Sequence, residues 1–423
     1  MAQGVERVNS KDMKILFICP EDLKGERRGG VTTSTLILAK YLAKLGNEVY
    51  VLSRGDENSF FRQSNYQVYI ISDFEFKKNI FLKILCKVLD RGLKKFFPEF
   101  VGRIYWALYV FFFVKEKGPF DIIESPEWCN NALFISLFTK SKVVVKLHRG
   151  WYCYLKDNDL PISIDEWLIC LLEFLSIIFA TALTSPSEFM FNYYKPLITI
   201  FKKIRKNGNI KVIPYGVEIE TTRKFKLKYT SKNRYLLSVG RIEKAKGSFT
   251  LIKSFEQVIK RYKNIKLILI GEDTQMFVKK KLVNYKEYLK SYIYKNHLEE
   301  GILLLPKKTS TQLREYYKNC LFFIAPSVGT ENFPMVLLEA VSYNKAVIGS
   351  NTGGIPEIIR HKANGLLFSP NNTRDLVRII ELLLGNDKLR LEFEQYNARY
   401  KKRFDIRKIA LQTASFYNKV SKN

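Results

Sequence analysis

The arrangement that most constrains this fold is a short apolar run, a glycine-bearing loop, a segment of helical periodicity and a second apolar run. It begins with MKILFICP at residues 13–20, continues through VTTSTLILAKYLAKLG at 31–46 and ends with NEVYVLS at 47–53. A strand, a helix and a further strand in this order form a βαβ unit, which builds a parallel sheet. Four later runs predict more strands of that sheet: FDIIES, KVVVKLH, ALTSPS and IKVIPYG.

A second series of the same kind follows the charged, irregular stretch at residues 217–234, which we interpret as a linker. Its strands are predicted at YLLSVG, KLILIGE, ILLLP, CLFFIAPS and KAVIGS. The predicted fold class is therefore α/β, with two Rossmann-like domains whose parallel sheets face a central cleft. We expect the first domain to span residues 1–222 and the second to span 223–400. Ligands of such sheets bind beyond the carboxyl ends of the strands.

The charge of the chain indicates an anionic partner. With 70 Lys and Arg against 41 Asp and Glu, the formal net charge is +29. Nucleic acid, acidic lipid and phosphate-bearing substrates all fit this charge. Because no recognised nucleic-acid-binding motif accompanies it, we expect no nucleic-acid partner. The six cysteines form no CxxC pair and only three histidines occur, so we expect buried thiols and no metal site.

Two long apolar runs raise the question of membrane spans. The run at residues 104–114 is well short of the roughly 20 residues that cross a bilayer. The run at 167–183 carries Glu173, which is costly in lipid. We therefore interpret both as buried or surface-embedded helices. The polar opening also lacks the apolar core of a signal peptide, which favours a cytoplasmic protein.

The stretch SVGRIEKAKG at residues 238–247 predicts a phosphate site. Arg241 and Lys246 flank a turn just past a strand, and Gly240 and Gly247 allow the backbone to bend. Two cations in such a loop suit a diphosphate, because charge-assisted hydrogen bonds are strong. The alternative is that both side chains are ordinary solvated surface cations.

The stretch VGTENFPMVLLEAV at residues 328–341 carries two glutamates in an apolar context. Because proline favours the first turn of a helix, Pro334 predicts that a helix opens there, with Glu331 in the preceding loop and Glu339 in the second turn. The amide groups near Phe333 would suit an anion. Glu339 could accept hydrogen bonds from two adjacent hydroxyls, such as those of a ribose. The alternative is a partly exposed helical residue.

Three further features are weaker when taken alone. Gly29 and Gly30 precede a helix in a geometry compatible with phosphate, although GERRGGV is no GxGxxG fingerprint. Gly353 and Gly354 repeat this pattern in NTGGIPEII. His148 ends a predicted strand, where a catalytic or sugar-contacting group would lie, but a lone histidine is more often structural.

Together these segments, in the order SVGRIEKAKG, LILIGE, APSVGTENFPMVLLEA and NTGGIPEIIRHKANGLLF, resemble the nucleotide-sugar glycosyltransferases of family 4. Those are retaining enzymes with the GT-B fold of two Rossmann-like domains, and they need no metal. The resemblance covers nearly the whole chain and is strongest over residues 236–368. It implies that 1–222 bind the acceptor, that 223–400 bind the donor, and that 401–423 form a helix crossing back to the first domain.

The resemblance also implies roles for individual residues. Glu339 should hold the donor ribose, and Arg241 and Lys246 the leaving diphosphate. Glu331 should contact the transferred sugar, together with backbone groups of Phe333 and Pro334. The other matching positions are the glycine loop at Gly29 and Gly30 and the histidine beside the sugar, His148. The chain departs from the family pattern at Tyr215, Glu218 and Pro334, and the last of these bears on which sugar fits.

A basic amphipathic pattern at residues 79–97 predicts a membrane-binding helix. Lys83, Lys87, Arg91 and Lys94 recur on one face, and leucines recur on another. Such a helix is typical of binding to anionic lipid. The alternative is an ordinary domain helix with a solvated basic face.

The expected function is transfer of a hexose-type sugar from a nucleotide-sugar donor to a lipid-linked or polysaccharide acceptor. We expect the protein to be cytoplasmic, peripherally attached to the inner face of the cell membrane, and to act in cell-surface glycan synthesis. Two alternatives stay open. One is a phosphorylase-like transferase of the same fold that uses a sugar phosphate, and the other is an inactive membrane-associated partner protein.

Overall fold

A computed structural model describes residues 12–19, 23, 29–55, 57–63, 65–71, 87–157, 160–205, 208–219, 234–278 and 281–422. The chain divides into two compact units. Unit 1 comprises Met1–Gly216 with Ile406–Asn423, and unit 2 comprises Val217–Asp405. The expected domain boundary after residue 222 falls within 220–233, outside the described residues. The expected boundary after residue 400 precedes the one observed, which follows Asp405.

Unit 1 is built on an eight-stranded sheet in the order β3-β4-β2-β1-β5-β6-β7-β8. Every neighbouring pair is parallel except β3 and β4, and β1 lies between β2 and β5 with Ile15 opposite both Val49 and Ile122. The strands are β1 (Lys14–Cys19), β2 (Glu48–Arg54), β3 (Ser59–Gln63), β4 (Tyr66–Ile71), β5 (Ile122–Pro126), β6 (Lys142–Lys146), β7 (Ala182–Ser185) and β8 (Asn209–Val212).

Helices cover both faces of this sheet, as near-continuous apolar strands require. Along β1, Ile15 and Phe17 enter one core cluster while Leu16 and Ile18 enter another. The first seven helices are α1 (Gly30–Lys44), α2 (Pro98–Lys117), α3 (Ala132–Phe138), α4 (Trp151–Asp157), α5 (Ile164–Phe179), α6 (Glu188–Tyr193) and α7 (Lys195–Ile204). A further helical segment is described at residues 87–92.

Unit 2 contains a six-stranded, wholly parallel sheet in the order β13-β10-β9-β14-β15-β16, with a separate antiparallel pair, β11 and β12. The strands are β9 (Tyr235–Val239), β10 (Lys266–Ile270), β11 (Gln275–Val278), β12 (Lys281–Asn284), β13 (Ile302–Leu305), β14 (Phe323–Ala325), β15 (Val347–Ser350) and β16 (Gly365–Phe368). The predicted α/β class with two parallel-sheet domains is confirmed.

Helices alternate with most of these strands, two more follow the last strand, β16, and one last helix returns the chain to unit 1. They are α8 (Ser248–Arg261), α9 (Tyr285–Lys295), α10 (Ser310–Asn319), α11 (Met335–Ser342), α12 (Ile355–Ile358), α13 (Thr373–Gly385), α14 (Asp387–Tyr400) and α15 (Ile406–Lys422). Helix α15 packs on α1, and its buried Tyr417 donates a hydrogen bond to Glu124 of β5. The C-terminal helix is therefore an integral part of unit 1.

Neither apolar run forms a span: within the described part of the chain, no helix has the length and apolar character needed to cross a membrane. The run at 104–114 lies in α2, whose Val110 and Phe113 are buried. Glu173 lies in α5 and is 6% exposed, with its carboxylate accepting the Trp151 N–H at 3.0 Å. Burial raises the pKa of Glu173 to about 8. This carboxyl is thus buried in protein.

Candidate donor site

The turn after β9 is shaped by two glycines. Gly240 has φ +155°, and its N–H donates to Ile270 at 3.0 Å. Gly247 has φ +71°, ends the 3₁₀ turn Lys244–Lys246, and lies so close to the Pro326 carbonyl that a Cβ would overlap it. Both positions need glycine because L side chains rarely adopt such a backbone.

This turn is joined to the loop that follows β14. The carbonyl of Ala245 accepts the N–H groups of Val328 and Gly329, each at 2.9 Å. Because β9 and β14 are neighbours in the sheet, both loops leave the same edge. The pairing fixes the loop carrying Glu331 against the turn carrying Lys246.

Glu331 is held by three groups. Its Oε1 accepts hydrogen bonds from Lys246 Nζ at 2.5 Å and from Ser327 Oγ at 2.7 Å. Its carbonyl accepts the Gly354 N–H at 2.7 Å. The side chains of Lys246 and Glu331 are 28% and 13% exposed, so the ion pair is largely shielded from solvent. Gly353 permits this contact, because a Cβ there would overlap the Glu331 backbone.

A pocket of unit 2 gathers four of the residues predicted from sequence. Its lining includes Arg241, Lys246, Glu331 and Pro334, together with Ser238, Gly240, Ser248, Pro326, Ser327 and Val336. Arg241 is half-exposed and lies 3.1 Å from Glu243. The pocket thus combines two cations, a carboxylate, the glycine-containing turn after β9 and the start of a helix.

Helix α11 begins at Met335, one residue later than the sequence predicts, because Pro334 occupies the N-cap position. The N–H groups of its first two residues, Met335 and Val336, precede the first hydrogen bond of the helix, which Leu337 donates to Pro334 at 3.1 Å, and these two groups suit an anion. The Phe333 side chain is buried against Phe404, with ring centroids 5.9 Å apart. Only the backbone of Phe333 is therefore placed to serve a ligand, as the resemblance implies.

Glu339 lies in the second turn of α11, as predicted, but it is not among the residues lining this pocket. Its Oε2 accepts a hydrogen bond from Tyr317 at 2.8 Å. The residue is partly exposed, yet burial of the carboxyl raises its pKa to about 7, and the Tyr317 hydrogen bond opposes that rise. Sequence reasoning missed Tyr317, the one residue of α10 that is buried.

His148 lies in unit 1, directly after β6, and is 4% exposed. Its Nδ1 is 2.9 Å from the Lys146 carbonyl oxygen, which can only accept, so Nδ1 carries a proton. Its Nε2 is buried and finds no hydrogen-bond partner within the described residues. In the neutral imidazole this nitrogen presents a lone pair that a ligand hydroxyl could satisfy.

Glu127 supports this histidine and was missed by sequence reasoning. The carboxylate is fully buried, accepts the His148 N–H at 2.7 Å and lies 3.3 Å from Nδ1. The hydroxyl of Tyr194 lies 3.4 Å from the same carboxylate. Its place in the sequence could have identified it, because Glu127 directly follows the carboxyl end of β5, where site residues of such sheets lie.

The glycine loop is only partly described. Gly29 is the N-cap of α1 with an extended backbone, and its carbonyl accepts the Thr33 N–H at 3.0 Å. Gly30 is the first residue of the helix. The preceding residues 24–28 lie outside the described part of the chain. Among the residues described, no cluster of His, Cys, Asp and Glu could hold a metal ion.

The basic segment is defined here as residues 87–97, and Lys83 lies outside the described residues. The predicted helix over 79–97 is wrong in its extent, because the described helical part ends at Gly92 and residues 93–96 form a turn. Lys87, Arg91 and Lys94 are all exposed, and Lys94 lies 3.0 Å from Asp90. Three apolar side chains are exposed beside them: Val88, Leu93 and Phe96.

Comparison with known proteins matches residues 218–400 to the family described as glycosyl transferases group 1. One relative, an N-acetylgalactosaminyltransferase of Campylobacter jejuni named for a diphospho-undecaprenol substrate, is 29% identical over 42% of this chain and 45% of its own length. The chain spans about half the length of the curated relatives it matches.

Two solved structures show the fold over nearly the whole chain. Sucrose-phosphate synthase of Thermosynechococcus elongatus is 17% identical, with a TM-score of 0.73 over 96% of this chain and 98% of that one. Anabaena HepE, crystallised with UDP and glucose, is 20% identical, with a TM-score of 0.66 over 95% and 98%. The fold of the chain is GT-B, and residues 218–400, which contain the pocket described above, match the model of the group 1 glycosyl transferases.

Proposed function

We propose that the protein is a retaining glycosyltransferase that moves a hexose-type sugar from a nucleotide-sugar donor to a lipid-linked or polysaccharide acceptor. The observation that carries this proposal is the pocket lined by Arg241, Lys246, Glu331 and the start of α11, in which Lys246 donates a hydrogen bond to the carboxylate of Glu331. It lies within the residues matched by the glycosyl transferase family. HepE, which shares the fold, was crystallised with UDP and glucose.

Donor binding follows from the charges of this pocket. Arg241 and Lys246 bind the diphosphate through charge-assisted hydrogen bonds, and the N–H groups of the first two residues of α11 add to them. Glu339, with Oε2 held by Tyr317, uses its remaining acceptor positions for the two ribose hydroxyls. Gly29, Gly30 and the backbone at Phe333 and Pro334 complete the proposed donor-binding set.

Catalysis follows from the charge that develops as the sugar–diphosphate bond breaks. Negative charge grows on the leaving oxygen, where Arg241 and Lys246 stabilise it without a metal. Positive charge grows at the anomeric carbon, and Glu331 stabilises and positions that end of the donor. The acceptor attacks from the face that the diphosphate leaves, and the leaving phosphate takes its proton. His148 holds a hydroxyl of the sugar through Nε2.

The acceptor proposal is supported by charge and by the relatives. The Campylobacter jejuni relative is named for a substrate linked to diphospho-undecaprenol, which is a membrane lipid. The basic segment exposes Lys87, Arg91 and Lys94 beside apolar side chains, a combination that binds anionic lipid. We accordingly place the enzyme at the inner face of the cell membrane.

The first experiment measures the thermal stability of the full chain with UDP, GDP, CMP and glucose 1-phosphate. We expect one nucleoside diphosphate to raise the Tm, because a ligand that binds only the folded protein stabilises it. The same nucleotide should give weaker shifts with Glu339→Ala and Lys246→Ala. A shift with glucose 1-phosphate alone would favour the phosphorylase-like alternative, and no shift with any compound would favour the inactive partner protein.

A second experiment tests transfer. The nucleotide sugar carrying the base selected above is incubated with wild-type protein, and release of free nucleoside diphosphate is followed. Slow hydrolysis that is lost in Glu331→Gln would support the proposal, whereas equal hydrolysis by the two proteins would contradict it. The anomeric configuration of any transfer product, read by NMR, tests retention.

A further inference from the structure

The beginning of α5 exposes an unusual group of large apolar side chains. Ile164 and Trp167 are 68% and 58% exposed, and Leu171 and the preceding Ile162 are also exposed. Ile164, Trp167 and Leu171 follow one another at steps of three and four residues, so they share one face of the helix. Single apolar residues are normal on a surface, but contiguous ones mark interaction sites. These four residues are called the apolar stripe.

The helix that carries the stripe is well fixed. Ser163 caps it by accepting the Glu166 N–H, and Ile169, Leu172 and Ile177 are buried on the other side. Glu173 binds the Trp151 N–H at 3.0 Å. The exposure of the apolar stripe is therefore a property of a packed helix.

The apolar stripe lies beside the basic segment. Asp165 accepts hydrogen bonds from the Glu99 and Phe100 N–H groups at 3.0 and 2.8 Å, which fixes the start of α5 to the start of α2. Helix α2 begins at Pro98, immediately after the basic segment. Tyr105 of α2 also donates to Asp90 at 3.0 Å, which ties the basic segment to the same helix.

The charges around the apolar stripe favour an anionic surface. The basic segment carries four cations, Lys87, Arg91, Lys94 and Lys95, against one carboxylate, Asp90. The two acids in the first turn of α5 are already engaged, Asp165 with backbone amides and Glu166 with Trp151 Nε1 at 3.4 Å. An exposed tryptophan beside lysine and arginine is typical of the membrane–water interface, where the ring lies at head-group depth.

We propose that the apolar stripe inserts into the interface of an anionic lipid bilayer while the basic segment binds its head groups. This inference rests on the proposed function for placing catalysis at a membrane, but binding itself needs no turnover. The two parts act differently. The basic segment supplies attraction that salt screens, and the apolar stripe supplies burial that salt leaves intact.

The test is flotation of the full chain with vesicles of phosphatidylglycerol and phosphatidylcholine at two salt concentrations. At about 0.1 M NaCl the Debye length is about 10 Å, and at about 0.5 M it is below about 8 Å. The variant is Ile164→Ser with Trp167→Ser. We expect its vesicle partition to fall about tenfold or more at either salt, because two large side chains lose burial. Wild-type protein should retain part of its binding at high salt, and the variant should not. The matched control is Tyr294→Ser, which removes an aromatic side chain 74% exposed on α9 of unit 2 and should float like wild type.

A second readout reports insertion directly. The variant Trp167→Phe lacks the tryptophan of the apolar stripe and keeps the other three tryptophans of the chain. Lipids brominated in the acyl chains should quench the emission of wild-type protein more than that of this variant. Equal flotation of the Ser variant and wild type, or equal quenching of both proteins, would overturn the inference. So would sedimentation showing that the Ser substitutions dissolve a dimer formed without lipid, because the stripe would then cover a second copy.

Failure of this inference is distinguishable from failure of the proposed function. The Tm shift with UDP or GDP reports on unit 2 and should be equal in wild type and the Ser variant. A Tm shift with a nucleotide, without vesicle binding, would contradict this inference and leave the proposed function supported. Vesicle binding that depends on the apolar stripe, without a Tm shift from either nucleotide, would support this inference and contradict the proposed function.

Discussion

Lys246 donates a hydrogen bond to Glu331 across 2.5 Å, joining the turn after β9 to the loop before α11. The two residues are 85 positions apart in the chain. Their pairing has a chemical consequence. A carboxylate near a diphosphate would repel it, but in this pair the lysine screens that charge and remains part of the same pocket. In the proposed function, the residue that binds the diphosphate, Lys246, is therefore in direct contact with the residue that supports the anomeric carbon, Glu331.

Replacement of Lys246 by alanine should weaken binding of the nucleoside diphosphate by about tenfold to a hundredfold, because a hydrogen bond to a charged group contributes about 1.5–3 kcal/mol. Titration calorimetry with the nucleotide selected by thermal shift measures the change. Lys290→Ala is the control, since this lysine pairs with Glu287 on the surface of α9. Equal affinities of the Lys246 variant and wild type would contradict the diphosphate role.

Replacement of Glu331 by glutamine should separate binding from catalysis. The amide leaves Lys246 without its anionic partner, so we expect the nucleoside diphosphate to bind as tightly as in wild type or more tightly. Turnover should fall about a hundredfold or more, because stabilisation of charge at the reacting centre is lost. The comparison of Kd with kcat checks this. A weaker Kd together with unchanged kcat would show that Glu331 serves binding alone.

The pH dependence of donor binding should report Glu339. Burial raises its pKa from 4.5 to about 7, so the carboxylate form, which accepts both ribose hydroxyls, is lost as pH falls below 7. We expect affinity to fall between pH 8 and pH 6 in wild type and to fall less in Glu339→Gln. Titration of the nucleotide phosphate is common to both proteins and cancels in the ratio of their Kd values. A ratio independent of pH would contradict this assignment.

The raised pKa of Glu339 also predicts that folding stability changes with pH in the direction opposite to donor affinity. Because the pKa of Glu339 in the folded protein is above its ordinary value, the protonated group favours folding below pH 4.5. That contribution is lost as pH rises through about 7. Glu339→Gln, which is uncharged at every pH, should therefore raise the Tm at pH 8 more than at pH 5. Glu315→Gln on the exposed face of α10 is the control and should show no such difference.

The extent to which these features could be predicted depended on the range of the interaction. Strands such as β1 and β10 were predictable because their apolar runs are local, and the loops carrying Arg241 and Glu331 followed from strand ends. Five strands were not predicted: β3, β4, β11, β12 and β16. The contact of Tyr317 with Glu339 joins two helices, and that of Glu127 with His148 joins two loops. No local pattern encodes either pair. The helix predicted over residues 79–97 extended too far toward its carboxyl end, although Gly92 marked the end of the helical part that is described.

The last prediction concerns Tyr317 as a positioning residue for Glu339. Its hydroxyl donates to Oε2 at 2.8 Å and lowers the pKa of the carboxyl against the effect of burial. Tyr317→Phe should therefore raise the pKa of Glu339 further and move the loss of nucleotide affinity to higher pH. The ring of Tyr343, stacked on Tyr317, and that of Phe323, tilted against it, should keep the phenylalanine in place. Calorimetric titrations at several pH values between 6 and about 9, across the range where a carboxyl with a raised pKa titrates, measure this displacement.

The matched control is Tyr316→Phe, at the preceding and less buried position of α10. It removes the same atom without touching Glu339, so its pH profile should follow that of wild type. A role limited to packing would lower the Tm of Tyr317→Phe and leave the profile unmoved, and that outcome would remove Tyr317 from the donor site. If the loss of affinity moves to higher pH while the Tm is nearly unchanged, the Tyr317 hydroxyl acts on ribose binding through the charge of Glu339.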